Sequence, residues 1–171
     1  MSPGTRDVYT TRWFRLVEKT SEVSAQPFYW IDSPDCVTVL AVTGDGKVPL
    51  VRQYRPALDR MSLELPSGHI DPKDESREAA ARRELLEETG YEARKLQFLG
   101  AVDPDTGRLR ARIYCYFAPD AVKVAEPKPG AETIENQECT LSELDSMMSD
   151  GRMSHAQDMA VVLLARLRGF I

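Results

Sequence analysis

The chain has 171 residues, 29% of them charged and 42% hydrophobic, a balance that supports one packed core and excludes a disordered tail. Lys plus Arg number 22 against 27 Asp plus Glu, and the formal net charge of −5 argues against an electrostatic grip on a nucleic-acid backbone. Cys36, Cys115 and Cys139 form neither a C-x-x-C pair nor an even disulfide set, and His69 and His155 are too few for a histidine triad or an imidazole metal cluster. The first residues lack a signal-peptide pattern and the apolar runs are too short to span a bilayer, so the expectation is a cytoplasmic protein with no membrane or nucleic-acid partner. Carboxylates must then carry any chemistry.

No repeat or linker divides the chain, so the expectation is one domain over residues 1–171. Asp7–Glu18 and Pro27–Ile31 are rich in Val, Tyr, Trp and Phe and read as two early strands. Cys36–Val42 and Val48–Tyr54 flank Gly44-Asp-Gly-Lys47, which reads as a hairpin connection. A short strand, Ser62–Leu65, stops at Pro66-Ser-Gly68, where a functional loop can begin. From Glu75 to Thr89 strong helix formers take over, with Asp74 placed as the cap and Gly90 as the stop. Leu96–Val102 and Ala111–Phe117 read as strands around the Pro104–Gly107 turn. Thr140-x-x-Glu143 and Ser154-x-x-Gln157 have capping-box spacing and open two helices, the last running to Arg168 before Gly169. Strands without regular strand-helix alternation predict a mixed α/β sandwich rather than a doubly wound parallel sheet.

The helix carries the chemistry. Glu84, Glu87 and Glu88 stand at i, i+3 and i+4, on one arc of the helix roughly 100° wide. Like charges at that spacing are destabilising, and the C-terminal end of the helix dipole disfavours them further. Arg83 can offset part of the charge, but a hard divalent cation with oxygen ligands satisfies all three carboxylates better. The plain alternative is a solvated acidic face.

Glu75, Arg83, Glu84, Leu85, Glu87, Glu88, Gly90 and Tyr91 fall where the box G-x5-E-x7-R-E-U-x-E-E-x-G-U asks, with U an apolar residue. In this the chain resembles the Nudix hydrolases, whose fold is an α/β/α sandwich. Gly68 sits one residue early, leaving six residues between it and Glu75. The resemblance implies hydrolysis of a nucleoside diphosphate linked to another moiety, with Mg²⁺ or Mn²⁺. It implies Glu84 and Glu88 as principal metal ligands, Glu87 as an additional or water-mediated one, and the backbone carbonyl near Ser67 as a further one. It makes Gly68, Glu75 and Arg83 supports, with Glu75 and Arg83 forming an ion pair that orients loop and helix.

Val51-Arg-Gln-Tyr-Arg55 followed by Leu63–Gly68 is similar to the ADP-ribose and nucleotide-sugar pyrophosphatase branch. That likeness implies a small-molecule nucleotide substrate met by the segment that holds Arg55 and Glu64; Arg55 either grips phosphate or ribose or forms a surface ion pair with Glu64. Trp13 and Trp30 either stack on the nucleobase, often across a dimer interface in that branch, or fill the core. Gly130–Glu135 resembles the late loop that carries the general base in related pyrophosphatases, a likeness that makes Glu132 the first candidate and Glu135 the second, unless both are exposed loop or strand carboxylates. Ala111 stands where many such enzymes carry a glutamate. A homodimer built on strands of residues 1–35, with the catalytic core in 36–171, fits the branch. The alternatives are another substrate, such as a dinucleoside polyphosphate or an oxidised nucleotide, and a non-catalytic nucleotide-sensing domain.

Overall fold

The computed structural model describes residues 4–24, 26–128 and 134–171. Its first residues form three strands where the sequence suggests two: β1 (Thr5–Thr10), β2 (Arg15–Lys19) and β3 (Phe28–Asp32), paired antiparallel in that order. The segment read as one strand breaks at Thr11. Its hydroxyl accepts the N–H groups of Trp13 at 3.0 Å and Phe14 at 2.9 Å, which closes a turn that neither strand could pass through.

β4 (Cys36–Thr43) and β5 (Lys47–Arg55) are joined by the expected turn, with Gly46 at φ 80° and its N–H on the Thr43 carbonyl. They do not form a hydrogen-bonded hairpin. β4 joins β7 (Ser67–His69), whereas β5 pairs with β6 (Arg60–Glu64) in another sheet. The reason is burial: Val37, Val39, Leu40 and Ala41 on β4, like Val48, Leu50 and Val51 on β5, are wholly buried. Such apolar runs need cover on both faces.

After α1 (Arg77–Thr89) come β8 (Tyr91–Glu92), β9 (Gln97–Val102), β10 (Leu109–Arg110) and β11 (Ile113–Lys123). The strand expected over Ala111–Phe117 is therefore shifted and longer, continuing past a register shift between Ala118 and Ala121. β11 runs parallel to β4 and antiparallel to β9, so this sheet is mixed, while β10 adds to the N-terminal sheet beside β3. β12 (Ile134–Thr140), which sequence reading did not separate from a loop, pairs along its whole length with Lys47–Gln53 of β5.

Two apolar clusters make the layers. Val37, Val39 and Ala41 of β4 meet Ala80, Ala81 and Leu85 of α1 on one face. On the other, Leu40, Cys115 and Phe117 pack with Leu50, Leu63 and Cys139, and with Leu144 and Val161 from α2 (Leu141–Ser149) and α3 (Ala156–Leu167). This is the expected α/β/α sandwich. The Thr140–Glu143 capping box forms as the sequence predicts. The Ser154–Gln157 box does not: His155 is the cap residue and makes no side-chain cap bond, because Ser154 accepts from Arg60 and Gln157 donates to Thr38.

α1 ends at Gly90, φ 76°, whose carbonyl accepts the N–H groups of Val124 and Ala125. A Cβ there would stand 2.0 Å from the Ala125 carbonyl oxygen. Gly90→Ala therefore meets both a left-handed backbone and a main-chain clash, and the expected loss is about 1–3 kcal/mol. A thermal melt should fall by roughly 2–4 °C for each kcal/mol.

Candidate active site

α1 begins one residue pair later than the sequence suggests. Ser76, not Asp74, is the N-cap, its hydroxyl accepting the Ala79 N–H at 3.0 Å. Asp74 is released for another task. It takes Arg83 in a two-pronged pair, Nε on Oδ1 and Nη2 on Oδ2, both at 2.9 Å, while Glu75 is exposed and outside the pair. The expected Glu75–Arg83 ion pair is thus replaced by Asp74–Arg83. Five residues separate Gly68 from Asp74, the spacing the box asks, so the extra residue lies between the acid and the arginine. That spacing was the sequence signal for Asp74.

Arg83 also donates to the His69 carbonyl at 3.1 Å, to Glu84 at 2.7 Å and to Glu87 at 3.3 Å. One guanidinium therefore ties the β7 loop to the acidic face of α1. The loop answers from its own side: the Ser67 N–H donates to Glu88 Oε2 at 2.8 Å. Gly68 lies against Glu84, and a Cβ on it would stand 2.2 Å from Glu84 Oε1. Gly68→Ala must push Glu84 out of its seat against the Arg83 bond; we expect hydrolysis to fall roughly 10–100-fold with a melting temperature close to that of the wild type. Steady-state rates beside a melt check both halves.

These residues border a cavity of about 680 Å³, lined by Ser67, Gly68, Glu84 and Glu88 on one side and by Gln53, Arg55 and His155 on the other. Trp13 and Phe14, in the turn between β1 and β2, reach the same cavity, and the Arg12 guanidinium covers the Trp13 ring at 4.5 Å. Trp30 is elsewhere. It sits on β3 beside a second cavity of about 740 Å³, with Asp32 and Arg110. Arg55 forks onto Glu64, with Nε 2.9 Å from Oε1 and Nη2 2.5 Å from Oε2, and borders the cavity at the same time. Arg55 thus makes the expected ion pair with Glu64 while also lining the cavity. Glu64 is buried rather than on the surface; burial alone would raise its pKa, but the Arg55 fork, Ser62 and His155 outweigh that and hold it below the usual carboxylate value.

Glu135 is on β12, ion-paired with Arg52 at 2.8 Å, both side chains exposed, and it does not border the cavity. Glu132 lies outside the described residues. Sequence reading missed His155 and Asp158 altogether. The only signal was a histidine and an acid three apart on a helix start, in a chain with two histidines.

The donor set suits a hard divalent cation. Burial raises the pKa of Glu84 and pushes that of Glu88 up to about 8, and Glu88 has no ion-pair partner among the described residues. Two partly buried carboxylates on one helix face, with a third at the rim, form an oxygen-only environment. Among the described residues no three acidic, histidine or cysteine side chains already converge on one point, since Arg83 holds Glu84 and Glu87 while Ser67 holds Glu88.

A family model for the NUDIX domain matches residues 32–159, and the chain belongs to the Nudix family. Nudix hydrolases generally depend on a divalent metal. Among curated proteins the chain is 36% identical over 115 residues to an ADP-ribose pyrophosphatase of Bacillus subtilis, a match spanning 66% of this chain and 62% of that protein. It is 27% identical to a GDP-mannose pyrophosphatase of Yersinia pestis over 96% of this chain and 90% of the relative. Among solved structures an ADP compounds hydrolase superposes with a TM-score of 0.82 at 21% identity, covering 99% of this chain and 95% of that one, which supports the fold. No helix of the described residues is long and apolar enough to cross a membrane.

Proposed function

We propose that this chain hydrolyses the pyrophosphate bond of ADP-ribose or a related nucleoside diphosphate sugar, releasing a nucleoside monophosphate and a sugar phosphate. The observation that carries the reading is the meeting of partly buried Glu84 and Glu88 with the Gly68 loop in a cavity that Arg55 also borders. Relatives named as ADP-ribose and GDP-mannose pyrophosphatases support the substrate class.

Glu84 and Glu88 would hold Mg²⁺ or Mn²⁺, with Glu87 at the exposed rim acting through water and the Ser67 carbonyl nearby. When bound, such a cation supplies charge neutralisation and an activated water for in-line attack on phosphorus. The protein's own groups do the rest. Asp74 and Arg83 fix the loop against α1, so that the carboxylates keep their spacing. Arg55, braced by Glu64, offers a planar cation to diphosphate oxygens. Trp13 offers a ring face to the nucleobase. Glu132 is our candidate for the proton acceptor, since Glu135 is occupied by Arg52. The N-terminal sheet exposes Tyr9, Trp13, Phe28 and Tyr29, an apolar surface suited to a homodimer in which Trp30 could serve the partner's site. A cytoplasmic setting suits the nucleotide substrate and the reduced cysteines.

A product screen across ADP-ribose, GDP-mannose and dinucleoside polyphosphates, with Mg²⁺ and Mn²⁺ titrated, tests this. The expected products from ADP-ribose are AMP and ribose 5-phosphate. Turnover of dinucleoside polyphosphates alone would overturn the substrate class.

A further inference from the structure

Opposite the acidic face of α1, the cavity wall holds a charge cluster that the metal-site reading leaves unused. Arg55 of β5, Glu64 of β6, and His155 and Asp158 at the start of α3 meet there. Asp158 is fully buried: its Oδ2 accepts the Leu65 N–H at 3.1 Å, and its Oδ1 has no hydrogen-bond partner. His155 Nδ1 stands 3.3 Å from Asp158 Oδ2 and 3.9 Å from Glu64 Oε2. Arg55 is taken by Glu64, and the imidazole is the basic group beside Asp158. Burial raises the pKa of Asp158 while the His155 contact lowers it, and the same contact raises that of the imidazole, so the pair holds a proton between buried acid and ring.

A purely structural role explains Asp158, which fastens α3 to the linker between β6 and β7. It does not explain the histidine. The His155 side chain is 35% exposed and borders the same cavity as Arg55, Glu84 and Glu88. Its Nδ1 is buried 3.3 Å from Asp158 Oδ2, an ion-pair contact rather than a well-aligned hydrogen bond, and Nε2 makes no hydrogen bond or ion pair with the described residues. We propose that His155, oriented by Asp158, contacts an anionic phosphate of the substrate through Nε2, beside Arg55, and sets affinity for the diphosphate rather than the rate of the chemical step. The proposal rests on the pyrophosphatase reading and assigns that site a second phosphate-binding cation.

The charged groups facing His155 are Asp158 on its own helix, Glu64 of β6 and Arg55 of β5, with Glu84 and Glu88 of α1 and His69 of β7 elsewhere on the cavity wall. The Asp158 contact, opposed by burial and helped by Glu64, lifts the imidazole above its ordinary value. The contact is present below that raised pKa and is lost as pH rises through it.

With two histidines in the chain, imidazole ¹H–¹⁵N spectra of the wild type read His155 directly, His155→Gln giving the assignment. The probe is the non-hydrolysable α,β-methylene analogue of ADP-ribose in EDTA. Saturation should move the His155 Nε2 resonance and raise its titration midpoint. His155→Gln should bind the analogue roughly tenfold more weakly at pH 6.5 and lose the share of pH dependence that the wild type shows. In steady state KM should rise about tenfold with kcat within about twofold. Asp158→Asn should lower the His155 midpoint.

An unmoved His155 resonance at saturation, a wild type that does not bind the analogue, or a His155→Gln protein that binds as the wild type does would each overturn the proposal. Cleavage of ADP-ribose in Mg²⁺ is read separately. If His155 responds to the analogue but no nucleoside diphosphate sugar is cleaved, the activity reading falls and the phosphate contact stands; if cleavage occurs with His155 unmoved, the reverse holds.

Discussion

Glu88→Gln is expected to lower pyrophosphate hydrolysis by at least about 100-fold, beyond the ~10–100-fold typical of groups that only support a metal ligand. The substitution keeps the shape and removes the charge. Glu88 is the carboxylate most in need of a cation: its one described bond is to the Ser67 N–H, and burial pushes its pKa up to about 8. Gln needs no counter-ion, and its side-chain oxygen can still accept from Ser67. The metal-free variant should therefore melt at or above the wild-type temperature. The wild type gains stability on addition of Mg²⁺ or Mn²⁺ because the ion binds the folded state, and Glu88→Gln should lose most of that gain. Parallel melts with and without metal, beside initial rates, separate a lost ligand from a damaged fold. A variant that keeps wild-type turnover would remove Glu88 from the site.

Asp74→Ala and Glu75→Ala form the second test, and they should differ sharply despite being neighbours. Asp74 holds Arg83 through two bonds of 2.9 Å, and Arg83 in turn holds the His69 carbonyl and Glu84. Cutting the first link frees the guanidinium to fold over Glu84 and Glu87, where it would compete with the metal. Activity should fall roughly 10–100-fold, with a higher metal concentration required for half-maximal rate. Glu75 is exposed and outside this network, so Glu75→Ala should stay within about twofold. Metal titrations of both variants decide the matter. Equal losses, or a larger loss at Glu75, would contradict the assignment of Arg83 to Asp74.

The acidic helix was legible in the sequence because its information is local: helix formers, an i, i+3, i+4 carboxylate set and a terminal glycine all act within a few residues. The same holds for the Thr140 capping box and for the Gly44–Lys47 turn. What the turn joins was not legible. Whether β4 and β5 pair depends on partners as distant as Ile113 and Ile134, and their unbroken apolar runs suit either arrangement. The break at Thr11 was hidden because β-branched and aromatic residues continue on both sides of a turn made by one hydroxyl. Asp74 was overlooked for a different reason: counting the box from its arginine favours Glu75, while counting from its glycine favours Asp74, and only the bond geometry chooses. His155 and Asp158 gain their meaning from Glu64 and Leu65, about 90 residues away along the chain.

Diffraction from crystals soaked in Mn²⁺ and the α,β-methylene analogue of ADP-ribose, with data at the manganese edge, tests the central claim most directly. The account predicts anomalous density within direct bonding distance of carboxylate oxygens of Glu84 and Glu88, next to the diphosphate. A bound analogue with no manganese between it and that face of α1, or manganese held by other residues, would contradict it.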